Sequence, residues 1–459
     1  MNDFSVTGAK VVVVGAARSG VAAARLLAVR GARVVLTEER LDVDESVTEL
    51  RELGVELELG GHEAQTFGSA DLVVLSPGVS PTMAVLDGVR RRKVPVISEV
   101  ELASRWLQGR VVAVTGTKGK STTVVLLGQM LKAGGCVVLV GGNVGTALSA
   151  QVEESTADTI HVVEVSSFQL ELTTTFQPSI AVLLNLYSDH LDRHESYTAY
   201  VAAKARIFAN QTTSDTLVVN ADDPEVLRLA SCGKAHRVSY ALTEPIGSGV
   251  VVTRDAIVRR SETGDERLVP LSAVHLLGRH QLSDVLAAST VASLIGVSAR
   301  SMTLAVDRFS GLEHVLELVG EVAHVRFVND SKATNIEAAR QAVESCGEHL
   351  VVIMGGRFKG GEFESLQGVL EARVDAVIAL GEARERIRDA LAAVVRVVDA
   401  VSLQDAVRVA YGLAVPGGTV LLAPACASLD MFQDYAERGR VFRRAVDLLK
   451  EEEDEKREQ

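Results

Sequence analysis

The sequence predicts an α/β protein of three consecutive units, each a parallel sheet with helices on its faces. Three observations lead there. Short Val-rich runs alternate with helical patterns along most of the 459 residues, as βαβ units require. The pattern restarts twice, near residues 99 and 310. The composition is 47% apolar, rich in Val and Ala, with 4% aromatics, which suits strands buried on both faces under close-packed helices. The expected domains are residues 1–98, 99–309 and 310–459.

In the first unit, Lys10–Val14 reads as a strand, Gly20–Arg30 as a helix ended by Gly31, and Arg33–Thr37 as a second strand. "GVELELG" and "DLVVLSPGV" add two more, and "VPVISEVELASRW" leads onward. The middle unit restarts with Val111–Thr115, followed by "CVVLV", "IHVVEVSS", "SIAVLLNL" and "TLVVNADD". Past Tyr240 shorter runs such as "GVVVTRDAIVRR" predict a small extra sheet, and "GRHQLSDVLAASTVASLIG" a closing helix. The third unit alternates again through "HVRFVNDS", "HLVVIMGG", "DAVIALG" and "GTVLLAPA". The final "KEEEDEKREQ" reads as a frayed helix end and solvated tail.

A formal charge of -13 argues against nucleic acid as a partner, because such binders neutralise phosphates with Lys and Arg. Cys136, Cys232, Cys346 and Cys426 form no CxxC pair, so neither a zinc knuckle nor a disulfide framework is suggested. No basic-then-apolar leader opens the chain, and no apolar run approaches the ~20 residues of a membrane span. The expectation is a cytoplasmic monomer that does not insert into membranes.

"VVAVTGTKGKSTT" is a strand, a glycine turn and a helix start. Gly116, Thr117, Lys118, Gly119, Lys120, Ser121 and Thr122 would point N–H groups, a cation and a hydroxyl at phosphates and Mg2+. The usual G-x-x-x-x-G-K-[ST] spacing would need glycine at Val114, so this is a variant loop; an ordinary strand–helix turn is the competing explanation. Upstream, "GAARSG" supplies Gly15, Arg18 and Ser19 in a dinucleotide-like turn. Thr37 and Glu38 end the next strand, and Ser76, Pro77 and Gly78 could form a second wall. Ala17 replaces the middle glycine, where a methyl is expected to hinder a pyrophosphate. A ligand-free βαβ turn would give the same pattern.

Glu164 ends a strand beside Ser166 and Ser167, and strand ends are where open α/β sheets bind ligands. Asp189, His190, Asp192 and His194 follow the next strand, and Lys204 lies on the helix after it. A strand-end Glu and a His near a phosphate loop suit a second Mg2+ site. Singly, Glu164 could be capped by N–H groups, His194 could be a surface residue and Lys204 a helix-face lysine. In the third unit, Asp330, Ser331, Lys332 and Thr334, then Lys359, then Ser428 with Tyr435, all follow strands. Lys and Thr there could clamp a small carboxylate, or Asp and Ser could merely cap helices.

"VTGTKGKSTT", "EVSSFQLE", "SDHLDRH", "AAKARIF", "NDSKATN", "GGRFKGGEF" and "APACASLDMF" occur in this order, and together they resemble the Mur ligase family over nearly the whole chain. "SSFQLE", "NDSKATN" and "GAARSGVAAARLL" resemble its D-glutamate-adding branch. The resemblance implies Rossmann-like first and third domains around a P-loop ATPase-like middle one, and an ATP-dependent amide ligase acting through an acyl phosphate. The implied ligands are UDP-MurNAc-L-Ala, D-glutamate, ATP and Mg2+. Lys120 would stabilise the transferring phosphoryl group, and Ser121 and Glu164 would hold one Mg2+. His190 and Lys204 would serve a second, the lysine being carbamylated in the family. Asn143 would contact the sugar–peptide substrate. Gly15, Arg18, Ser19, Thr37, Glu38, Ser76, Pro77 and Gly78 match the uridine-diphosphate region. Asp284 falls at the adenosine contact and Asp330 at the ribose. Lys332, Thr334, Lys359, Ser428 and Tyr435 match the D-glutamate pocket.

Gln281 and Asp284 stand where the family usually has two asparagines, and Val315 where it often has an arginine on ATP phosphate. Losing a charged hydrogen bond costs about 1.5–3 kcal/mol, so weaker ATP binding is expected unless Lys332 or another residue compensates. A different amino acid as substrate, a folylpolyglutamate synthase-like ligase, or a homologue that kept the fold but lost turnover are the competing readings. The roughly 100-residue first unit speaks against the folate enzyme. A nicotinamide dehydrogenase built on "GAARSG" would leave the second loop unexplained.

Overall fold

The structure, a computed structural model, describes residues 4–190, 193–243 and 246–458. Three sheets define a three-domain α/β architecture. The first has five parallel strands in the order Glu56–Leu59, Arg33–Glu38, Lys10–Val14, Leu72–Leu75, Val96–Ser98. Val11 to Val14 are wholly buried, as an all-Val strand must be when helices cover both faces. The chain steps outward to one side of Lys10–Val14 and then crosses to the other. The crevice at that reversal lies between the loops after Val14 and Leu75, where open α/β sheets take ligands.

The second sheet has nine strands, with Arg110–Thr115 between Thr159–Glu164 and Ile180–Leu183. The short strands past Tyr240 do not form a sheet of their own. Gly249–Val252 pairs in parallel with His236–Ala241, and Ala256–Ser261 and Gly264–Pro270 continue antiparallel at the edge. Gly249 permits this join: its φ is +133°, and a Cβ there would fall 2.1 Å from the Ser239 carbonyl oxygen.

The third sheet runs Glu317–Val322, Val325–Asn329, Thr419–Leu422, Leu350–Gly355, Val374–Leu380, Arg396–Asp399. It is parallel except for its first pair. Its last helix spans Tyr435–Glu458. The acidic end read as a frayed helix end and solvated tail is helical through Glu458, with Glu452 paired to Arg408 of another helix.

The described chain divides into two compact bodies, residues 1–274 with 283–308, and residues 275–282 with 309–459. The first two sheets share the first body. Leu26 of the first domain and Val100 and Ala103 of the connecting helix lie in the core of the central sheet. Arg30 pairs with Glu153 at 2.7 Å, and the Trp106 ring packs at a tilt against Phe4, centroids 5.1 Å apart.

Candidate active site

The candidate phosphate loop follows a strand buried from Val111 onward and opens the helix Lys120–Ala133. Gly119 has φ +83°, and a Cβ on it would lie 2.0 Å from Asp284 Oδ1. Only glycine meets both demands. Asn185 braces the loop from the neighbouring strand end. Its Oδ1 accepts from the N–H of Thr117 at 3.0 Å and of Lys118 at 2.8 Å, and its Nδ2 donates to the Lys118 carbonyl. Thr117 shares a 2.8 Å hydrogen bond with the Tyr200 hydroxyl. Lys120 Nζ donates to the carbonyls of Gly116 and Thr117 at 3.0 and 2.9 Å.

Glu164 is buried at the end of its strand, which the Ser166–Gln169 capping box converts into a helix. Its Oε2 accepts from Ser121 Oγ at 2.7 Å and its Oε1 from Asn143 Nδ2 at 2.8 Å. Lys204, on a helix begun by the Ser196 N-cap, is 2% exposed. Its Nζ donates to the Gly116 carbonyl at 2.7 Å and lies 4.8 Å from the Tyr200 ring centre. Burial, and then the charge of Lys120, drive its pKa well below the lysine range. It is thus no surface lysine.

His190 sits at φ +55°, a conformation costing roughly 1–3 kcal/mol for a residue with a Cβ. Its ring is 5.0 Å from Phe168 and 6.4 Å from Tyr200, so His190 and Lys204 flank the same tyrosine. Asp189 pairs with Lys118 at 3.7 Å. His194, for which a surface position was the plain expectation, is buried. It stacks on Phe168 and bonds Ser167 Oγ at 3.0 Å. Asp192 lies outside the described residues. Among the described residues, no three His, Cys, Asp or Glu side chains converge on a metal position.

The crevice of the first sheet holds a cavity of about 660 Å³ whose lining includes Gly15, Arg18, Glu38, Ser76, Gly78 and Asn143. Gly20 must be glycine, since a Cβ there would meet the Gly15 carbonyl oxygen at 1.8 Å. Ser19 and Pro77 also face the cavity. Burial works against the Glu38 carboxylate, but the N–H groups of Ala16 and Arg40 hold its pKa below the usual range. Thr37 does not join them. It is buried, bonded to Gly61 and His62.

Two links escaped the motif reading. Arg18 donates to the Asn143 carbonyl at 3.1 Å. Arg193 donates to the carbonyls of Pro77 and Val79 while its guanidinium lies 4.0 Å from the Phe168 ring centre. The loop after Leu75 is thereby tied to the histidine cluster.

In the second body three strand-end loops are zipped together. Ala425 N donates to the Ala333 carbonyl, Gly355 N to that of Pro424, and Arg357 and Ala427 exchange a backbone pair. This gathers the segments bearing Lys332 and Thr334, Lys359, and Ser428. Lys332 and Lys359 are exposed and Ser428 is buried. Tyr435 is half-exposed, its ring 6.3 Å from His314. Asp330 accepts from the Leu316 N–H at 3.2 Å.

Three family models match in chain order. "Mur ligase MurD-like, N-terminal domain" covers residues 9–98, "Mur ligase middle domain" 114–292, and "Mur ligase, glutamate ligase domain" 316–426. The chain belongs to the Mur ligase family. Curated relatives of this Mur ligase include the UDP-N-acetylmuramoylalanine--D-glutamate ligase of Acidobacterium capsulatum, 44% identical over 96% of both chains. The protein of the same name from Desulfosudis oleivorans is 41% identical over 98% of this chain and 99% of its own.

Two solved structures share the fold. A pseudomurein peptide ligase type C from Methanothermus fervidus and a UDP-N-acetylmuramate-alanine ligase from Thermotoga maritima each have TM-score 0.60 and 19% identity, over 96% of this chain and all of theirs. The departures of this Mur ligase can be placed. Ala17 is the N-cap in an ordinary extended conformation, so its backbone does not need glycine. Asp284 packs against the glycine of the phosphate loop; burial raises its pKa well above the usual carboxyl value, opposed by Lys120. In the second body, the Val315 carbonyl accepts a long 3.4 Å bond from Gln281.

Proposed function

We propose that this Mur ligase joins D-glutamate to UDP-MurNAc-L-Ala with ATP as the energy source. The observation that carries the reading is a shared carboxylate. Asn143 lines the cavity of the first sheet, Ser121 belongs to the phosphate loop, and Glu164 is hydrogen-bonded to both. An acid group held by the first would be presented to a phosphate held by the second, with little translational freedom left. Residues 1–98 would seat the uridine nucleotide, 99–309 ATP, and 310–459 D-glutamate.

The substrate carboxylate attacks the γ-phosphorus of ATP; an O–P bond forms, the bond to ADP breaks, and an acyl phosphate results. The D-glutamate amine attacks the acyl carbon, the amide forms, the amine loses a proton, and phosphate leaves with the carboxylate oxygen. Lys120 and the N-terminus of its helix would hold the phosphate charge. The Ser121 hydroxyl and Glu164 carboxylate are the hard oxygen ligands that Mg2+ takes alongside phosphates and water. Bound there, the ion would neutralise charge on the transferring group.

Lys204 as it stands, an amine donating to Gly116, is no metal ligand. Its lowered pKa keeps the nitrogen lone pair available, and addition to CO2 with loss of a proton would give a carbamate carboxylate that is one. His190 would join that second site.

The test is phosphate release by the purified protein with ATP, Mg2+, UDP-MurNAc-L-Ala and a panel of amino acids. D-glutamate should support it, and 18O in the substrate carboxyl should appear in the phosphate. Release with L-alanine or diaminopimelate but not D-glutamate would overturn the substrate assignment.

A further inference from the structure

The helix Tyr435–Glu458 buries an arginine that the mechanism above does not use. Arg438 is 2% exposed. Its Nε donates to Ser331 Oγ at 3.0 Å and its Nη2 to the Ser331 carbonyl at 2.8 Å. Its Nη1 donates to the Cys426 carbonyl at 3.1 Å and, more loosely, to that of Gly355 at 3.4 Å. All of these acceptors are neutral, and among the described residues no carboxylate lies within ion-pair distance. Burial pulls the guanidinium down to about 10, opposed by Cys426 and by the more distant Asp430 carboxylate, so it stays charged at neutral pH.

The three segments it holds follow three adjacent strands, Val325–Asn329, Thr419–Leu422 and Leu350–Gly355. They lead directly to Lys332 and Thr334, to Ser428, and to Lys359. Ser331 Oγ in turn donates to the Tyr435 carbonyl at 2.7 Å, closing the loops onto the helix start. A rigid fork of five donors is the side chain suited to pinning three separate acceptors at once. Burying its charge without a counter-ion is costly; a neutral donor would serve a purely structural joint at less expense. The balance changes if the loops exist to receive an anion.

We propose that Arg438 is a positioning residue for the amino-acid substrate, setting the three loops for a dicarboxylate and supplying positive potential that no ion-paired carboxylate neutralises among the described residues. This rests on the ligase reading and deepens it. The test is steady-state kinetics of Arg438→Lys, which keeps the charge but loses the fork, and Arg438→Gln, which loses both. Melting followed by far-UV circular dichroism establishes the folded fraction.

Arg438→Lys should raise the KM for D-glutamate at least tenfold, with the KM values for ATP and UDP-MurNAc-L-Ala within twofold of wild type. Arg438→Gln should raise it further. If Arg438→Gln does not fold, the lysine variant decides alone. An unchanged KM for D-glutamate in Arg438→Lys would overturn the proposal, as would all three KM values rising together. Absence of D-glutamate-dependent phosphate release in the wild type would instead count against the ligase reading.

Discussion

At the scale of the residue, the site is most informative where it is least comfortable. Lys204 is buried, its amine donating to a carbonyl and, among the described residues, ion-paired with no carboxylate. A lysine whose folded pKa is depressed makes the unfolded state bind the extra proton, so stability rises with pH until the ordinary lysine pKa is reached. Removing the amine therefore removes a cost. Lys204→Met should raise the melting midpoint at pH 7 while abolishing phosphate release; Gly116 keeps a donor in Lys120. A midpoint that falls would show that the amine contributes to folding. Glu164→Gln keeps the shape but not the charge between Ser121 and Asn143. We expect kcat to drop on the order of 10²-fold and the Mg2+ requirement to rise; an unchanged magnesium titration would separate Glu164 from the ion. Lys120, Ser121 and Glu164 were legible because a strand end or a helix start marks them. Asn185, Tyr200 and Arg193 were not, since each reaches its partner across many residues and nothing local signals it.

At the scale of the element, one buried carboxylate contributes to the joint between the first two sheets. Glu101 lies in the short helix Glu99–Ser104 and is fully buried. It accepts from the N–H groups of Thr174, Thr175 and Phe176 and from the guanidinium of Arg105. Burial alone would raise its pKa, but the Thr175 hydroxyl, the Thr174 N–H and Arg105 lower it to about 2. A depressed carboxyl contributes stability that is complete above the unfolded value of 4.5 and is lost as pH falls toward about 2. That contribution is about 3 kcal/mol. Glu101→Gln should lose about 2–3 kcal/mol at pH 7 and flatten the acid side of the stability curve. Urea midpoints at pH 7 and pH 3 measure both, and a penalty that does not shrink at pH 3 would contradict the assignment. The strands were legible from their Val runs. The continuous nine-stranded sheet was not, because the close approach of Gly249 to Ser239 is a tertiary fact. Nor was the extent of the last helix, since a charge run read as a frayed end is compatible with both a solvated tail and a helix laced by pairs such as Arg408–Glu452.

At the scale of the whole molecule, the sequence announced three units by restarting its pattern but not that two of them share a body. That union is made by Leu26, Trp106 and the Arg30–Glu153 pair, contacts without local signature. It has a measurable consequence. The chain has a single tryptophan, and Trp106 lies in the first body, against Phe4 and Arg30. Its fluorescence therefore reports unfolding of the body that contains the first-sheet cavity and the proposed phosphate loop, while circular dichroism reports both bodies. A ligand that binds only the folded form adds about 2.7 kcal/mol at a hundred times its Kd. Mg-ATP and UDP-MurNAc-L-Ala should each raise the Trp106 midpoint by that amount of free energy. Given together they should raise it by more than the sum, because Glu164 is held from both seats and each ligand orders what the other needs. D-glutamate alone, whose candidate residues all lie in the second body, should leave the Trp106 midpoint where it was. A Trp106 midpoint that moved with D-glutamate alone, or stayed fixed with Mg-ATP, would mean that the seats have been assigned to the wrong bodies.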